Sequence, residues 1–218
     1  MSAAEGRVGV TELYASIQGE STHMGRPCTF IRLAGCPLRC RWCDTEYSFE
    51  AGTRMAIEAV VEAVQALGVP LVEVTGGEPL SQRGCRPLMA ALADAGFEVL
   101  LETSGSVDMT NIDPRVTVIA DLKCPGSNES KRNLWPQLAK LRAQDELKIV
   151  VADEADFQWA LKRLDEQLEG VAATVLWSAV HGELKETQLA SLIMASRAPG
   201  RMQIQLHKVL WPDTDRGV

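Results

Sequence analysis

Apolar positions recur along this chain with two periods, and the period switches repeatedly. Short apolar runs at 29–33, 71–75, 97–101, 116–120, 147–151, 174–177 and 202–206 read as strands. Between them the spacing turns helical. Ile57, Val60, Val61, Val64 and Leu67 fall on one helix face, as do Leu88, Met89, Leu92 and Ala95, with Gly96 as the stop. Phe157, Leu161, Leu164 and Leu168, followed by Gly170, mark a further helix, and Leu189, Leu192 and Ile193 another. Strands alternating with helices imply parallel β–α–β units. A closed eight-unit barrel typically takes about 250 residues. At 218 residues the better expectation is an α/β fold of the open, partial parallel β/α-barrel kind, one domain over 1–218. A doubly wound open sheet is the alternative. In both, chemistry gathers at the C-terminal strand ends.

Composition narrows the function classes. With 46% hydrophobic and 23% charged residues the chain resembles an ordinary globular protein. It has no apolar run of the ~20 residues that span a membrane. The stretch 1–8 has no apolar signal core, so a cytoplasmic location is expected. A net charge of −7 repels phosphate backbones, which argues against a nucleic-acid partner.

The cysteines carry the sharpest signal. Cys36, Cys40 and Cys43 form a C-x3-C-x2-C triplet just after a strand run, whereas Cys28, Cys85 and Cys124 are scattered. Thiolates select zinc, copper(I) or iron–sulfur. A closed zinc site wants a fourth ligand nearby, and Cys28, the nearest thiol, is expected to point away. Three ligands leave one iron of a cubane open for a substrate or cofactor. A second motif, Thr75-Gly76-Gly77-Glu78-Pro79, closes a strand run. Its glycines allow a close backbone approach, and its carboxylate can accept from an ammonium; a simple turn is the other reading.

The triplet, with Trp42 before its last cysteine, resembles the radical S-adenosylmethionine superfamily. The resemblance implies a [4Fe–4S] cluster on Cys36, Cys40 and Cys43, whose open iron chelates S-adenosylmethionine. Electron transfer then releases a 5′-deoxyadenosyl radical. Gly76-Gly77-Glu78 resembles the motif that binds the cofactor's amino group in that superfamily. Further segments narrow the likeness: Ser16-Ile17-Gln18-Gly19-Glu20, Arg32-Leu33-Ala34-Gly35-Cys36, Cys43-Asp44-Thr45, Glu102-Thr103-Ser104-Gly105, Asp121-Leu122-Lys123-Cys124-Pro125-Gly126-Ser127, Glu146-Leu147-Lys148 and Gln205-Leu206-His207-Lys208. In order and spacing they are similar to the 7-carboxy-7-deazaguanine synthase family over roughly Glu12 to Trp211. The resemblance implies a carbon–nitrogen lyase of queuosine and deazapurine biosynthesis. Such an enzyme contracts the ring of 6-carboxy-5,6,7,8-tetrahydropterin with loss of ammonia, helped by Mg²⁺.

Carried onto these residues, Gln18, Gly19, Glu20, Arg32, Thr103 and His207 would bind substrate. Trp42, Gly76, Gly77, Glu78, Ser104, Lys123 and Ser127 would bind S-adenosylmethionine, and Thr45, with Asp44 as rival, would bind Mg²⁺. A carboxylate suits the amino-pyrimidinone edge, and a guanidinium fork suits the substrate carboxylate. Lys148 is expected to be structural or peripheral. Ser21 stands where the family usually has a glycine. Asp213, Asp215 and Arg216 of the C-terminal tail are candidates to close the pocket, with a frayed tail as the alternative. Implied partners are a one-electron donor such as flavodoxin or ferredoxin and a second copy of the chain. Rival readings are a glycyl-radical activase or a non-catalytic iron–sulfur module.

Overall fold

The structure is a computed structural model that describes residues 6–214 and 216–218. Among the described residues nine strands form a single sheet: β1 (Arg7–Ile17), β2 (Pro27–Leu33), β3 (Thr53–Ala56), β4 (Leu71–Gly76), β5 (Glu98–Thr103), β6 (Thr117–Lys123), β7 (Glu146–Val151), β8 (Thr174–Ala179) and β9 (Arg201–Met202). Their order is β3-β1-β2-β4-β5-β6-β7-β8-β9, so the barrel is open. Pairs from β2–β4 onward are parallel; β1 is antiparallel to both β2 and β3. The helices are α1 (Ile57–Leu67), α2 (Cys85–Asp94), α3 (Trp135–Leu138), α4 (Glu154–Gln167), α5 (Glu186–Ser196) and α6 (Leu206–Leu210).

Period-2 alternation sorts each strand's residues between two environments. Val72 and Val74, Val99 and Leu101, Val118 and Ala120, and Leu147 and Ile149 belong to the larger core beneath the helices. The helices bury matching faces, such as Ile57, Val60 and Val64 of α1 and Phe157, Ala160 and Leu164 of α4. The alternate positions Cys28, Phe30, Leu71, Leu100 and Ile119 form a second apolar cluster, capped by Tyr14. Farther along the same strands the inner series turns polar: Arg32, Glu73, Thr75, Glu102, Asp121 and Lys148 all line one cavity. An apolar floor therefore supports a charged chamber at the C-terminal strand ends.

β1 changes phase to join that chamber. Its pairing with β2 slips between Val10 and Glu12. Before the slip the even positions Val8 and Val10 enter the outer core; beyond it Leu13 packs there instead. A one-residue bulge flips every later side chain to the other face, which sets Glu12 and Tyr14 beside Arg32.

Six of the seven strand readings match observed strands. The apolar run at 202–206 does not continue as a strand: pairing ends at Met202, and Leu206 opens α6. The antiparallel β1 and β3, absent from the sequence reading, are the other difference. β1 interleaves Glu12, Tyr14 and Ser16 with apolar residues, and its bulge breaks the alternation a strand template needs.

Candidate active site

The cavity holds about 630 Å³. Cys36, Cys40, Cys43 and Trp42 form one part of its wall. The cluster loop leaves β2 through Gly35 and is pinned from outside. The Arg39 N–H donates to Glu129 at 2.6 Å, and the Arg41 N–H donates to the Ser127 carbonyl at 3.1 Å. The Arg39 guanidinium turns back onto the Cys36 and Leu38 carbonyls at 2.9 and 2.6 Å.

The Gly76-Gly77 pair is explained by this loop. A Cβ on Gly76, at φ 147°, would stand 2.1 Å from the Leu33 carbonyl oxygen; one on Gly77 would stand 2.4 Å from that of Gly35 and 2.8 Å from Cys36 Cβ. What the glycines approach is the cluster loop itself. The Gly77 and Glu78 N–H groups donate to the Leu33 and Gly35 carbonyls at 3.1 and 2.8 Å. Glu78 is fully buried and is not part of the cavity lining. Its carboxylate accepts from the Leu80 N–H (2.9 Å), the Thr103 hydroxyl (2.9 Å), and the Ser104 N–H (2.7 Å) and hydroxyl (2.5 Å). Ser127 also lies behind the wall, its hydroxyl donating to the Cys124 carbonyl at 2.6 Å. The other sequence-derived site residues, Trp42, Thr45, Gly76, Gly77, Ser104, Lys123, Gln18, Gly19, Glu20, Arg32, Thr103 and His207, share the one cavity.

Another part of the wall is ionic. Lys148, expected from the sequence to be structural or peripheral, is instead its hub. The ammonium donates to Glu20 at 3.0 Å and to Glu102, and stands 4.0 Å from Asp121. Burial alone would lower the Lys148 pKa, but Glu102, Glu20 and Asp121 outweigh it and hold the amine charged. Burial pushes the Glu102 carboxyl up, yet Lys148 and the Thr75 hydroxyl together hold it low. Glu73 behaves oppositely: burial, with Glu102 nearby, holds its carboxyl well above the usual range. Gln18 donates to Glu73 and accepts from the Glu20 N–H at 2.9 Å. Gln203 and Gln205 complete the frame of Glu20, donating at 3.2 and 2.9 Å. Alternation could have revealed Glu73, Glu102, Asp121 and Lys148: each occupies the inner series of an otherwise apolar strand.

α6 covers the cavity from the end of the chain. The Leu206 N–H donates to the Gly19 carbonyl at 2.9 Å, and His207 lines the cavity, its imidazole pKa lowered by burial. Gly19 leaves no room for a side chain, since a Cβ would meet His207 Nδ1 at 2.3 Å and its backbone nitrogen at 3.0 Å. Gly19→Ala will displace α6. A misplacement of ~1 Å costs up to about 100-fold, so the substrate KM should rise more than tenfold while basal S-adenosylmethionine cleavage persists. An unchanged KM would show that α6 does not set the substrate's position. Trp211, Pro212, Thr214 and Val218 also line the cavity, the Tyr14 hydroxyl donates to the Val218 carbonyl at 3.1 Å, and the Arg216 guanidinium lies 4.1 Å over the Tyr47 ring. Asp215 lies outside the described residues.

The donor set fits a polynuclear cluster. Three half-buried free thiols share one cavity wall, while Cys28, Cys85 and Cys124 are buried elsewhere. Asp121 fits the cofactor: Oδ2 accepts from Lys123 at 2.8 Å, but the buried Oδ1 has no partner, leaving an acceptor in the wall for a bound ligand's donor.

Residues 30–125 match the family model described as Radical SAM superfamily, which spans the cluster loop and the Gly-Gly-Glu turn. Open barrel, three-thiol loop and model together define a radical S-adenosylmethionine enzyme. The 7-carboxy-7-deazaguanine synthase of Chlorobaculum tepidum is 42% identical, the alignment covering 99% of this chain and 100% of that one. That of Koribacter versatilis is 38% identical over 96% and 99%. The crystal structure of QueE from Escherichia coli shares the fold, with a TM-score of 0.78 and 23% identity over 92% of this chain and 95% of that one. The chain belongs to the 7-carboxy-7-deazaguanine synthase family.

Proposed function

We propose that the chain contracts the ring of 6-carboxy-5,6,7,8-tetrahydropterin to 7-carboxy-7-deazaguanine with loss of ammonia, in queuosine and deazapurine biosynthesis. The observation that carries this reading is one cavity lined by the three cluster thiols together with Gln18, Glu20 and Arg32. The cluster, when bound on Cys36, Cys40 and Cys43, supplies the electron that cleaves S-adenosylmethionine to its 5′-deoxyadenosyl radical. Trp42, Ser104, Lys123 and the Gly76-Gly77 backbone line the place for that cofactor. Glu78 and Ser127 act from behind, the one fixing Thr103 and Ser104, the other holding the cluster loop through its carbonyl.

Glu20 accepts the donor edge of the pterin. Gln18 orients Glu20, and Lys148 pairs with its carboxylate at 3.0 Å. Arg32 binds the substrate carboxylate: its Nε is committed to Glu12 at 2.7 Å and its Nη2 reaches the Tyr14 hydroxyl at 3.4 Å, but among the described residues Nη1 donates to no protein acceptor. A charge-assisted bond is worth about 1.5–3 kcal/mol, roughly 10–150-fold. Arg32→Met should raise KM by that factor for the carboxylated pterin and far less for a pterin without the carboxylate. Equal penalties would reduce Arg32 to a brace for Glu12.

Thr45 is the Mg²⁺ ligand of this reading. Magnesium takes hard oxygens, and the Asp44 carboxylate is already paired with Lys208 at 3.3 Å. Six free thiols suit a reducing cytoplasm, and no helix of the described residues is long and apolar enough to cross a membrane. One sheet running from Arg7 to Met202 supports a single domain over 1–218. Exposed Val209 and Leu210 on α6 and Met194 on α5 support a homodimer. Light scattering should return twice the 23.7 kDa chain mass, and a monomer at micromolar concentration would remove the dimer from the account.

A further inference from the structure

Glu73 stands where the apolar floor meets the charged chamber. Its register partners are Phe30 on β2 and Leu100 on β5, both members of the floor cluster. Two residues on, Thr75 already belongs to the chamber and bonds Glu102 at 2.8 Å. Glu73 is buried, yet it lines the cavity. A carboxyl is costly to bury at such a place, and an apolar side chain would complete the floor at lower cost.

No cation compensates it. The titratable and charged groups that face it are Tyr14 from β1, Glu20 from the loop that follows, Cys28 and Arg32 from β2, Glu102 from β5 and Lys148 from β7; β6 adds the apolar Ile119 at the floor. Lys148 is paired with Glu20 and Glu102, and Arg32 with Glu12. Burial and the charge of Glu102 hold Glu73 in its neutral form.

What Glu73 does hold is Gln18. The Gln18 amide nitrogen donates to Glu73 Oε2, and its oxygen accepts from the Glu20 N–H at 2.9 Å. A primary amide with its nitrogen fixed has one orientation left for its oxygen. Glu73 therefore decides that the oxygen, not the NH2 group, meets the Glu20 N–H; a half-turn of the amide would set two donors against each other. The Gln18 backbone is secured by other means: its N–H donates to the Arg26 carbonyl and its carbonyl accepts from the Gly25 N–H, both at 2.8 Å. Only the side chain depends on Glu73.

We infer that Glu73 is a positioning residue for the substrate: by receiving the Gln18 amide it fixes that amide's orientation and, through it, the Glu20 carboxylate. The inference rests on the proposed role of Glu20 at the donor edge of the pterin. Gln18 is then ordered when the chain folds, and substrate binding does not bear that cost.

The test uses the cluster-loaded holoenzyme with S-adenosylmethionine and the variants Glu73→Leu, Glu73→Gln, Gln18→Leu and Gln18→Leu/Glu73→Leu. Affinity is read from the fluorescence of 6-carboxypterin, and KM and kcat from turnover of 6-carboxy-5,6,7,8-tetrahydropterin. Leucine removes the acceptor and keeps most of the volume, whereas glutamine keeps an acceptor in the same place. Ordering one long side chain is worth about two- to tenfold in binding. Glu73→Leu should weaken 6-carboxypterin binding and raise KM by about that factor, with a smaller change in kcat, and Glu73→Gln should restore both. In the Gln18→Leu background Glu73→Leu should add nothing, because the two residues act as one unit. That double variant replaces both partners with apolar groups and leaves no buried donor unsatisfied, so it keeps the test alive if Glu73→Leu alone fails to fold. Wild-type affinity in Glu73→Leu would overturn the inference, since Glu73 would then only fill space. So would a Glu73→Gln loss equal to that of leucine, or an equal added loss in the Gln18→Leu background. Wild-type enzyme that neither binds nor converts the pterin would sink the proposed function and this inference with it, whereas wild-type turnover with indifferent Glu73 variants sinks the inference alone.

Discussion

Cys40→Ala abolishes cluster assembly and, with it, S-adenosylmethionine cleavage, whereas Cys28→Ala leaves both in place. The contrast follows from where the two thiols stand. Cys40 is half-buried in the cavity wall with Cys36 and Cys43. Burial pushes its thiol up to about 11, so the free loop holds a thiol that iron must deprotonate on binding. Cys28 is fully buried on the apolar floor with Phe30, Leu71, Leu100 and Ile119, and its Sγ donates to the Thr29 carbonyl at 3.6 Å. Removing a residue that merely supports a metal ligand costs about 10–100-fold; removing a ligand exceeds that. Iron analysis and 5′-deoxyadenosine formation decide the matter. If Cys28→Ala lost iron as completely as Cys40→Ala, the cluster would have four protein ligands and no open iron.

Lys148→Met produces the largest loss outside the cluster loop. Its ammonium is the shared partner of Glu20 and Glu102 and lies within 4.0 Å of Asp121. Removing one member of a buried ionic group costs about 3–5 kcal/mol, because the remaining charges stay buried without compensation. Methionine fills most of the volume, so the loss is electrostatic and not a cavity effect. The sign of the pH dependence separates this from simple loosening. In the wild type Glu102 is held low, so its contribution is present above the ordinary carboxylate pKa and lost only on acidification through its folded value. In the variant the Glu102 carboxyl, without Lys148 to offset its burial, rises and takes up a proton on folding, and stability then falls as pH increases. The stability gap between variant and wild type should therefore narrow from about pH 8 to about pH 5. A gap independent of pH would show that Lys148 fills space only. Lys148→Arg keeps the charge and should recover part of the substrate affinity.

The parallel part of the fold is legible in the chain because burial on both sheet faces makes each central strand a plain apolar run. The antiparallel edge was hidden because a bulge shifts the phase of β1 and because β3 is only four residues long. α6 was hidden because its five residues are too few for a helical period. The cluster loop is legible from spacing alone, since three thiols within one loop have few other uses. Lys148 was misplaced for the opposite reason. Alternation marks Lys148 as inward-facing but not what it does; its meaning comes from Glu20, Glu102 and Asp121, which belong to other segments brought together by the barrel. Glu78 shows the same limit from the other side: the motif marks the right turn, but its carboxylate is directed to Thr103 and Ser104 beneath the cavity.

The most direct test of the central claim is an anaerobic incubation of cluster-loaded enzyme with reductant, S-adenosylmethionine, Mg²⁺ and 6-carboxy-5,6,7,8-tetrahydropterin, followed by mass spectrometry. The account predicts 7-carboxy-7-deazaguanine in excess of the S-adenosylmethionine supplied. Release of 5′-deoxyadenosine without that product would contradict the substrate assignment, and the absence of both from a fully loaded cluster would contradict the radical chemistry itself.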